Sequence, residues 1–369
     1  MIQIEIKFES FRGKIYWLNS HAKNRIVMIF PGLIDVHVHL RVPGGEHKED
    51  YHTGSLAALS GGFTMLIAMP NTLPPIVSKS DWSIAQTKAQ KESLCDVFIN
   101  AGASIEHLSE LPALSACAPA LKVYMDTTYG PLRIQGLPDL VKVFAAWPSN
   151  KPIALHAEGD SVAIGIGLAA CYNRPVHFCH ISRKDEIELI AKAKKQGFPI
   201  TCEVTPHHLF LTESDAENLG PLGDMRPTLA SQADVDALWE HINTTIDCIA
   251  SDHAPHTLVE KLDQENPPPG VPGLESTLPL MLTAASQGRL TYERIIELLY
   301  TNPRRIFNLP AQADTYVEID EKAKYIFPGN PLQTKCGWSP FTGFEITGRI
   351  RRVVFKGIER GKDGIVITQ

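Results

Sequence analysis

Nowhere in the 369 residues do 18 or more apolar residues run together, so the sequence offers no candidate for a membrane-spanning helix. A basic surplus is missing too. Thirty-five Lys and Arg stand against 41 Asp and Glu, a formal net charge of -6, and the composition gives no support to a nucleic-acid or anionic-membrane role. The seven cysteines (Cys95, Cys117, Cys171, Cys179, Cys202, Cys248 and Cys336) are odd in number and too thinly spread for a disulfide-stapled secreted domain. The opening MIQIEIKFES carries a charge every second or third residue where a signal peptide needs an apolar core. A reducing, cytoplasmic location is the expectation. Internal repeats and low-complexity tracts are absent as well.

What is present is enough apolar residue for a large core: 44% hydrophobic against 21% charged, the composition of a globular protein. From residue 33 onward, short apolar runs rich in β-branched residues recur: LIDVHVHL, FTMLIAMP, DVFINAGA, ALKVYMD, PIALHAE, PVHFCHI, PITCEVTP and TIDCIASD. Segments of helical spacing separate them, among them YHTGSLAALSGG, SDWSIAQTKAQKE and KDEIELIAKAKKQG, the last closed by Gly197. Eight apolar strands alternating with helices predict an α/β fold, a TIM-type (β/α)8 barrel, with a doubly wound open sheet as the alternative. QIEIKF and RIVMIF near the start, and TYVEID, GFEITGRIRRVVFKGI and DGIVIT near the end, read as antiparallel strands. They predict a small β domain from residues 1–30 and 340–369 beside a barrel at 31–339. ENPPPGVPG at 265–273 reads as a rigid loop.

The unusual entry in the composition is fourteen histidines. His37 and His39 lie two apart on a predicted strand, and a period of two turns both rings to one face. They suit a shared metal, or equally a pair of hydrogen-bonded core histidines. His156, His180 and Asp252 each fall toward the C-terminal end of a predicted strand, where the catalytic groups of barrel enzymes converge. Burying so many polar groups unpaired costs about 1–3 kcal/mol each, and a metal satisfies them together. Lys122 stands alone inside an apolar strand. It reads either as a lysine that snorkels from a strand end or as one carboxylated to an anionic ligand bridging two cations.

In order, PGLIDVHVHLR, the strand lysine, LHAE, FCH and SDHAPH resemble the metal-dependent amidohydrolases, and among them the dihydroorotases. The likeness is closer still to the dihydroorotase domains of animal multifunctional pyrimidine-synthesis proteins. It extends through PGGEHKED, AMPNTLPPI, TCEVTPHHLFL, PPPGVPGLES and NPRRIFNLP, from about residue 25 onward. It implies two zinc ions, one on His37, His39 and Asp252 and one on His156 and His180, bridged by carboxylated Lys122 and a hydroxide. Two cations roughly 3.5–4 Å apart need such shared anions, and both acidify the bridging water. A third zinc near Cys179 and Glu203 is also implied, the alternative being a buried thiol and a carboxylate that supports the ligands.

For substrate, the resemblance assigns the carboxylate of dihydroorotate or carbamoyl-aspartate to Arg41, Asn71 and His256. Arg226 and the backbone near Pro269 would contact the ring, and Thr128 and Tyr129 would lie on a closing loop. Asp252 would be the proton carrier. Dimer formation, and attachment to carbamoyl-phosphate synthetase and aspartate transcarbamoylase domains, are implied in the same way. One departure stands out: the family string Arg-Glu-Pro-Gly reads Arg41-Val42-Pro43-Gly44 here, removing a Glu that could orient Arg41. Two alternatives therefore accompany the enzyme. One is an inactive scaffolding domain like that of fungal relatives, and the other is a hydantoinase-like cyclic amidase.

Overall fold

The computed structural model describes residues 16–20, 25–148, 151–263 and 265–367. The strand expected at 3–8 lies outside them. In chain order the strands are β1 (Tyr16–Ser20), β2 (Arg25–Pro31), β3 (Leu33–Val38), β4 (Phe63–Ala68), β5 (Asp96–Ile99), β6 (Ala101–Gly102), β7 (Leu121–Tyr124) and β8 (Ile153–His156). They continue with β9 (Val176–Phe178), β10 (Ile200–Val204), β11 (Cys248–Ile249), β12 (Tyr316–Ile326), β13 (Glu345–Phe355), β14 (Ile358–Lys362) and β15 (Ile365–Val366).

β3 through β11 are parallel, in one sheet ordered β3-β4-β5 and another ordered β11-β10-β9-β8-β7-β6. Asn100 joins the two sheets. Its N–H donates to Ala68 O at 3.0 Å, while the next N–H, of Ala101, donates to Ala120 O at 3.0 Å. At the other margin, Val38 forms a parallel bridge with His253, and His39 N donates to His253 O at 2.7 Å. Residues of β3, β4, β7, β8 and β9 are buried without alternation, because helices cover one face and neighbouring side chains fill the other.

Those helices occupy the intervals between strands, among them Tyr51–Ser60, Lys79–Glu92, Leu137–Ala146, Asp160–Tyr172, Lys184–Lys195 and Gln232–His241. Side-chain caps start several of them: Asp50 accepts from Thr53 N, Ser78 from Asp81 N and Ser231 from Asp234 N, which satisfies amides the first turn leaves unpaired. Residues 265–273 form neither helix nor strand. Among the described residues, no helix is long and apolar enough to cross a membrane.

The chain ends meet in an antiparallel sheet ordered β1-β2-β12-β13-β14-β15. β12 begins with alternating burial and places Val317 and Ile319 against the main core. The sheet thus recruits a strand well before residue 340, since Val317 pairs with Phe30 on one side and Val353 on the other.

The helix at Tyr51–Ser60 ends against another at Leu274–Ser286, where a Cβ on Gly61 would lie 2.1 Å from Leu274 O. Gly61→Ala is expected to lower the unfolding free energy by about 1–3 kcal/mol through overpacking. An unchanged urea midpoint would contradict this close approach.

Candidate metal centre and substrate cleft

Every proposed ligand except Lys122, which lies within its strand, sits at the C-terminal end of a parallel strand or just beyond it. His37 is on β3, His39 follows it, Lys122 is on β7, His156 ends β8, His180 follows β9, Glu203 is on β10 and Asp252 follows β11. Three residues here take left-handed backbone conformations, Arg41 at φ 60°, His180 at 35° and Asp252 at 44°. Non-glycine residues adopt this region rarely, and such local strain gathers at functional sites.

Hydrogen bonds on the far side of each imidazole set what the near side can do. His37 Nδ1 lies 2.5 Å from Glu203 Oε1, and His39 Nδ1 lies 2.8 Å from Asn71 Oδ1. Both partners are acceptors, so each Nδ1 carries a proton. In the neutral rings each Nε2 is then a bare lone pair, and both lone pairs face Asp252 Oδ1, at 3.4 Å from His37 and 3.1 Å from His39. Lone pairs aimed at a carboxylate repel it unless a cation lies among them. This is the carboxylate–histidine arrangement that tunes metal ligands.

A positive charge among these groups is what the electrostatics favour, and a proton on His37 supplies it where a metal cation would. Burial and Lys122 oppose a proton on His37, but Asp252 and Glu203 outweigh them and lift its pKa to about 10. Burial lowers His39 to about 4 in spite of Asp252. Burial would raise Asp252, yet His37 and His39 hold it well below the usual carboxylate range. Donor atoms of His37, His180 and Asp252 lie within 4.8 Å of one another, as do those of His37, Cys179 and Glu203.

His156 Nδ1 faces His180 Nε2 at 2.9 Å, with Glu158 Oε1 3.1 Å behind His156 Nε2. The buried His180 Nδ1 has no hydrogen-bond partner among the described residues. Lys122 is fully buried, its Nζ donating to Cys179 Sγ at 2.9 Å and standing 5.1 Å from the centre of the Tyr124 ring. It does not snorkel to solvent. A donor set of imidazoles, a carboxylate and a thiol, with one orphaned nitrogen among them, fits zinc. Glu203 also accepts from His177 Nε2 at 3.0 Å, which fits the supporting role as well as the ligand role.

Above these groups opens a cleft of about 350 Å³ lined by His39, Arg41, Asn71, Thr128, Tyr129, Arg226, Asp252 and Pro269. His256 stands behind Arg41. Its Nδ1 accepts from Lys48 Nζ at 3.0 Å, so its Nε2 carries the proton and donates to Pro269 O at 3.0 Å. Arg41 Nη2, 3.0 Å from that same protonated nitrogen, cannot donate to it. Arg41 Nε does donate, to Pro255 O at 3.1 Å. One edge of the guanidinium is therefore fixed and the other is unspent, as a carboxylate clamp requires. Arg41 needs no Glu at position 42 to orient it, and Val42 instead joins the core.

Burial, then Arg41, Lys48 and Lys261, depress the pKa of His256 and keep it neutral. Lys48 also reaches Tyr129 Oη at 3.2 Å and Glu260 at 3.0 Å. Reading the sequence assigned no role to Lys48, although a lysine inside PGGEHKED was visible there. His207 was missed as well; it lines the cleft, and its buried Nε2 has no partner among the described residues.

Residues 26–138 match a family model described as dihydro-orotase-like. Over 352 residues the chain is 46% identical to the multifunctional protein CAD of Squalus acanthias, which takes in 95% of this chain and 16% of that protein. It is 33% identical over 354 residues to a dihydroorotase of Pyrococcus furiosus, covering 89% of this chain and 80% of the relative. The chain belongs to the dihydroorotase family. It thus spans 16% of the length of the CAD protein it matches. Among solved structures, L-hydantoinase from Arthrobacter aurescens superposes with a TM-score of 0.87 at 24% identity, over 92% of this chain and 87% of that one. That likeness shows a shared fold. The inactive dihydroorotase-like domain of the Chaetomium thermophilum CAD-like protein gives 0.79 at 27% identity, over 93% and 97%.

For this dihydroorotase-family site, Glu203→Gln is expected to weaken metal binding about 10–100-fold, because outer partners orient the ligating imidazole. Chelator competition on the purified protein measures it, and wild-type affinity in the variant would remove Glu203 from the metal centre.

Proposed function

We propose that this chain is a zinc-dependent dihydroorotase that interconverts N-carbamoyl-L-aspartate and L-dihydroorotate plus water, a step of pyrimidine synthesis. One observation carries the reading: a metal-donor cluster and an unspent carboxylate clamp open into the same cleft, with Asp252 between them. When bound, zinc held by His37, His39 and Asp252 and by His156 and His180, with carboxylated Lys122 between, supplies a hydroxide nucleophile at neutral pH and polarises the carbonyl.

The chain's own groups do the rest. Arg41 and Asn71, backed by His256 and Lys48, hold the substrate carboxylate, which turns the reacting amide toward the histidines. Arg226 and the backbone at Pro269 form the opposite wall. Thr128 and Tyr129 cover the cleft and exclude water, strengthening each charge inside. Asp252 Oδ1 faces the two imidazoles and would share the cation with them. Its Oδ2 is left to take a proton as the amide is attacked and to return it to the departing ring nitrogen. In the synthetic direction the same oxygen removes a proton from the ureido nitrogen. Cys179 and Glu203 form a donor pair for a third zinc.

The reading extends to architecture and setting. With β5 and β6 counted as one strand interrupted at Asn100, the strands from β3 to β11 make a (β/α)8 barrel closed by the bridge from Val38 to His253. The small β domain flanks it, with its second segment beginning at Tyr316. The domain works in the cytoplasm as a homodimer, joined to carbamoyl-phosphate synthetase and aspartate transcarbamoylase domains.

Protein purified with stoichiometric zinc should convert dihydroorotate, and no conversion would refute the activity. Likeness to an inactive fungal domain supports a scaffolding reading, which that result would favour. Lys122→Ala should reduce turnover to background and release zinc, and unaltered turnover would refute the carbamate. Arg41→Lys should raise KM about tenfold or more by breaking a two-to-two pairing. Faster turnover of substrates without a carboxylate than of dihydroorotate would instead mark a hydantoinase-like amidase.

A further inference from the structure

Between β12 and β13 the chain leaves the terminal sheet and runs to the mouth of the cleft. Two side chains of this strap act there. Trp338 Nε1 donates to the carbonyl of His256 at 2.8 Å. Thr334 Oγ1 donates to Glu49 Oε2 at 2.5 Å, and Glu49, fully buried, lies 3.3 Å from His253 Nε2. The tautomer of His253 follows, since its Nδ1 accepts from Gly273 N at 3.2 Å and so Nε2 is the donor to Glu49.

The strap therefore grips a five-residue turn near both ends, at His253 through Glu49 and at His256 directly. That turn carries much of the site. Asp252 begins it, His253 O receives His39 N, Pro255 O fixes Arg41 Nε, and the His256 ring ends it behind the clamp. The strap is anchored at its own base, where Gln333 N and Thr334 N donate to Glu275 at 2.9–3.1 Å. Trp338 and Thr334 are almost wholly buried, and neither lines the substrate cleft. Their bonds serve the turn.

We infer that Trp338 and Thr334 are positioning residues for substrate binding, by which the small terminal sheet sets the carboxylate clamp through the turn at 252–256. The inference rests on the proposed dihydroorotase activity. Trp338→Phe keeps most of the apolar ring and removes one N–H donor, and Thr334→Val removes one hydroxyl at similar volume.

The experiment measures kcat, KM, dihydroorotate binding by calorimetry and zinc content for the wild type, for each variant, and for Trp338→Phe in a His256→Ala background. Loss of one buried hydrogen bond corresponds to about a 2–10-fold effect. Trp338→Phe is expected to raise KM and the dissociation constant by that factor, with zinc content and kcat near wild type. In the His256→Ala background, where the ring is gone and only the Pro255 carbonyl still links the turn to Arg41, its effect should shrink. Equal effects in both backgrounds, or zinc loss in the single variant, would show a merely structural role and overturn the inference. So would kinetics indistinguishable from wild type in both single variants. Wild-type protein that neither binds nor converts dihydroorotate would overturn the activity and, with it, the inference, whereas an active wild type with silent variants overturns the inference alone.

Discussion

A hydrogen bond from His39 N to His253 O joins the beginning of the parallel strands to their end, 214 residues apart. Without that junction, His37 and His39 would belong to one sheet margin and Asp252 to the other, and no metal-binding group could include all three. Most strands between are buried on both faces, so the order of helices and strands leaves the ligands one side on which to gather. The junction also brings the turn after β11 against the arginine after β3. Metal centre and substrate clamp thus share a single backbone contact.

Much of this was legible along the chain because it follows short periods. The alternation in VHVHL gave two imidazoles on one face, and an isolated lysine in ALKVYMD was conspicuous among apolar neighbours. The structure keeps that lysine from solvent, as burial in the middle of a parallel strand demands. RIVMIF and the C-terminal runs were readable as strands, and the strand at TYVEID joins the same sheet.

Other features depend on partners far away in sequence. Thr334 and Glu49 are separated by 285 positions, and no local pattern marks either as part of one network. Lys48 was hidden for the same reason: its partners are Tyr129 on one loop, His256, 208 positions on, and Glu260 in the short helix that follows. The concern over Val42 illustrates the converse. A missing carboxylate is visible in a string, while a replacement main-chain carbonyl, here that of Pro255, is not. Side-chain orientation supplied by backbone leaves no trace in residue type.

The left-handed backbone at Arg41, His180 and Asp252 has a consequence for anyone wishing to move this chemistry elsewhere. L-residues hold that conformation only where the surroundings enforce it, so the aim of these three side chains is a property of the packed loops rather than of the residues. Transplanting the histidines, the arginine and the aspartate onto another barrel would carry over the reagents without their bearings. The transferable unit is larger: the strand ends together with the tethered turns that bend them. A search for distant kin by ligand spacing alone would therefore accept chains that own the residues and lack the geometry.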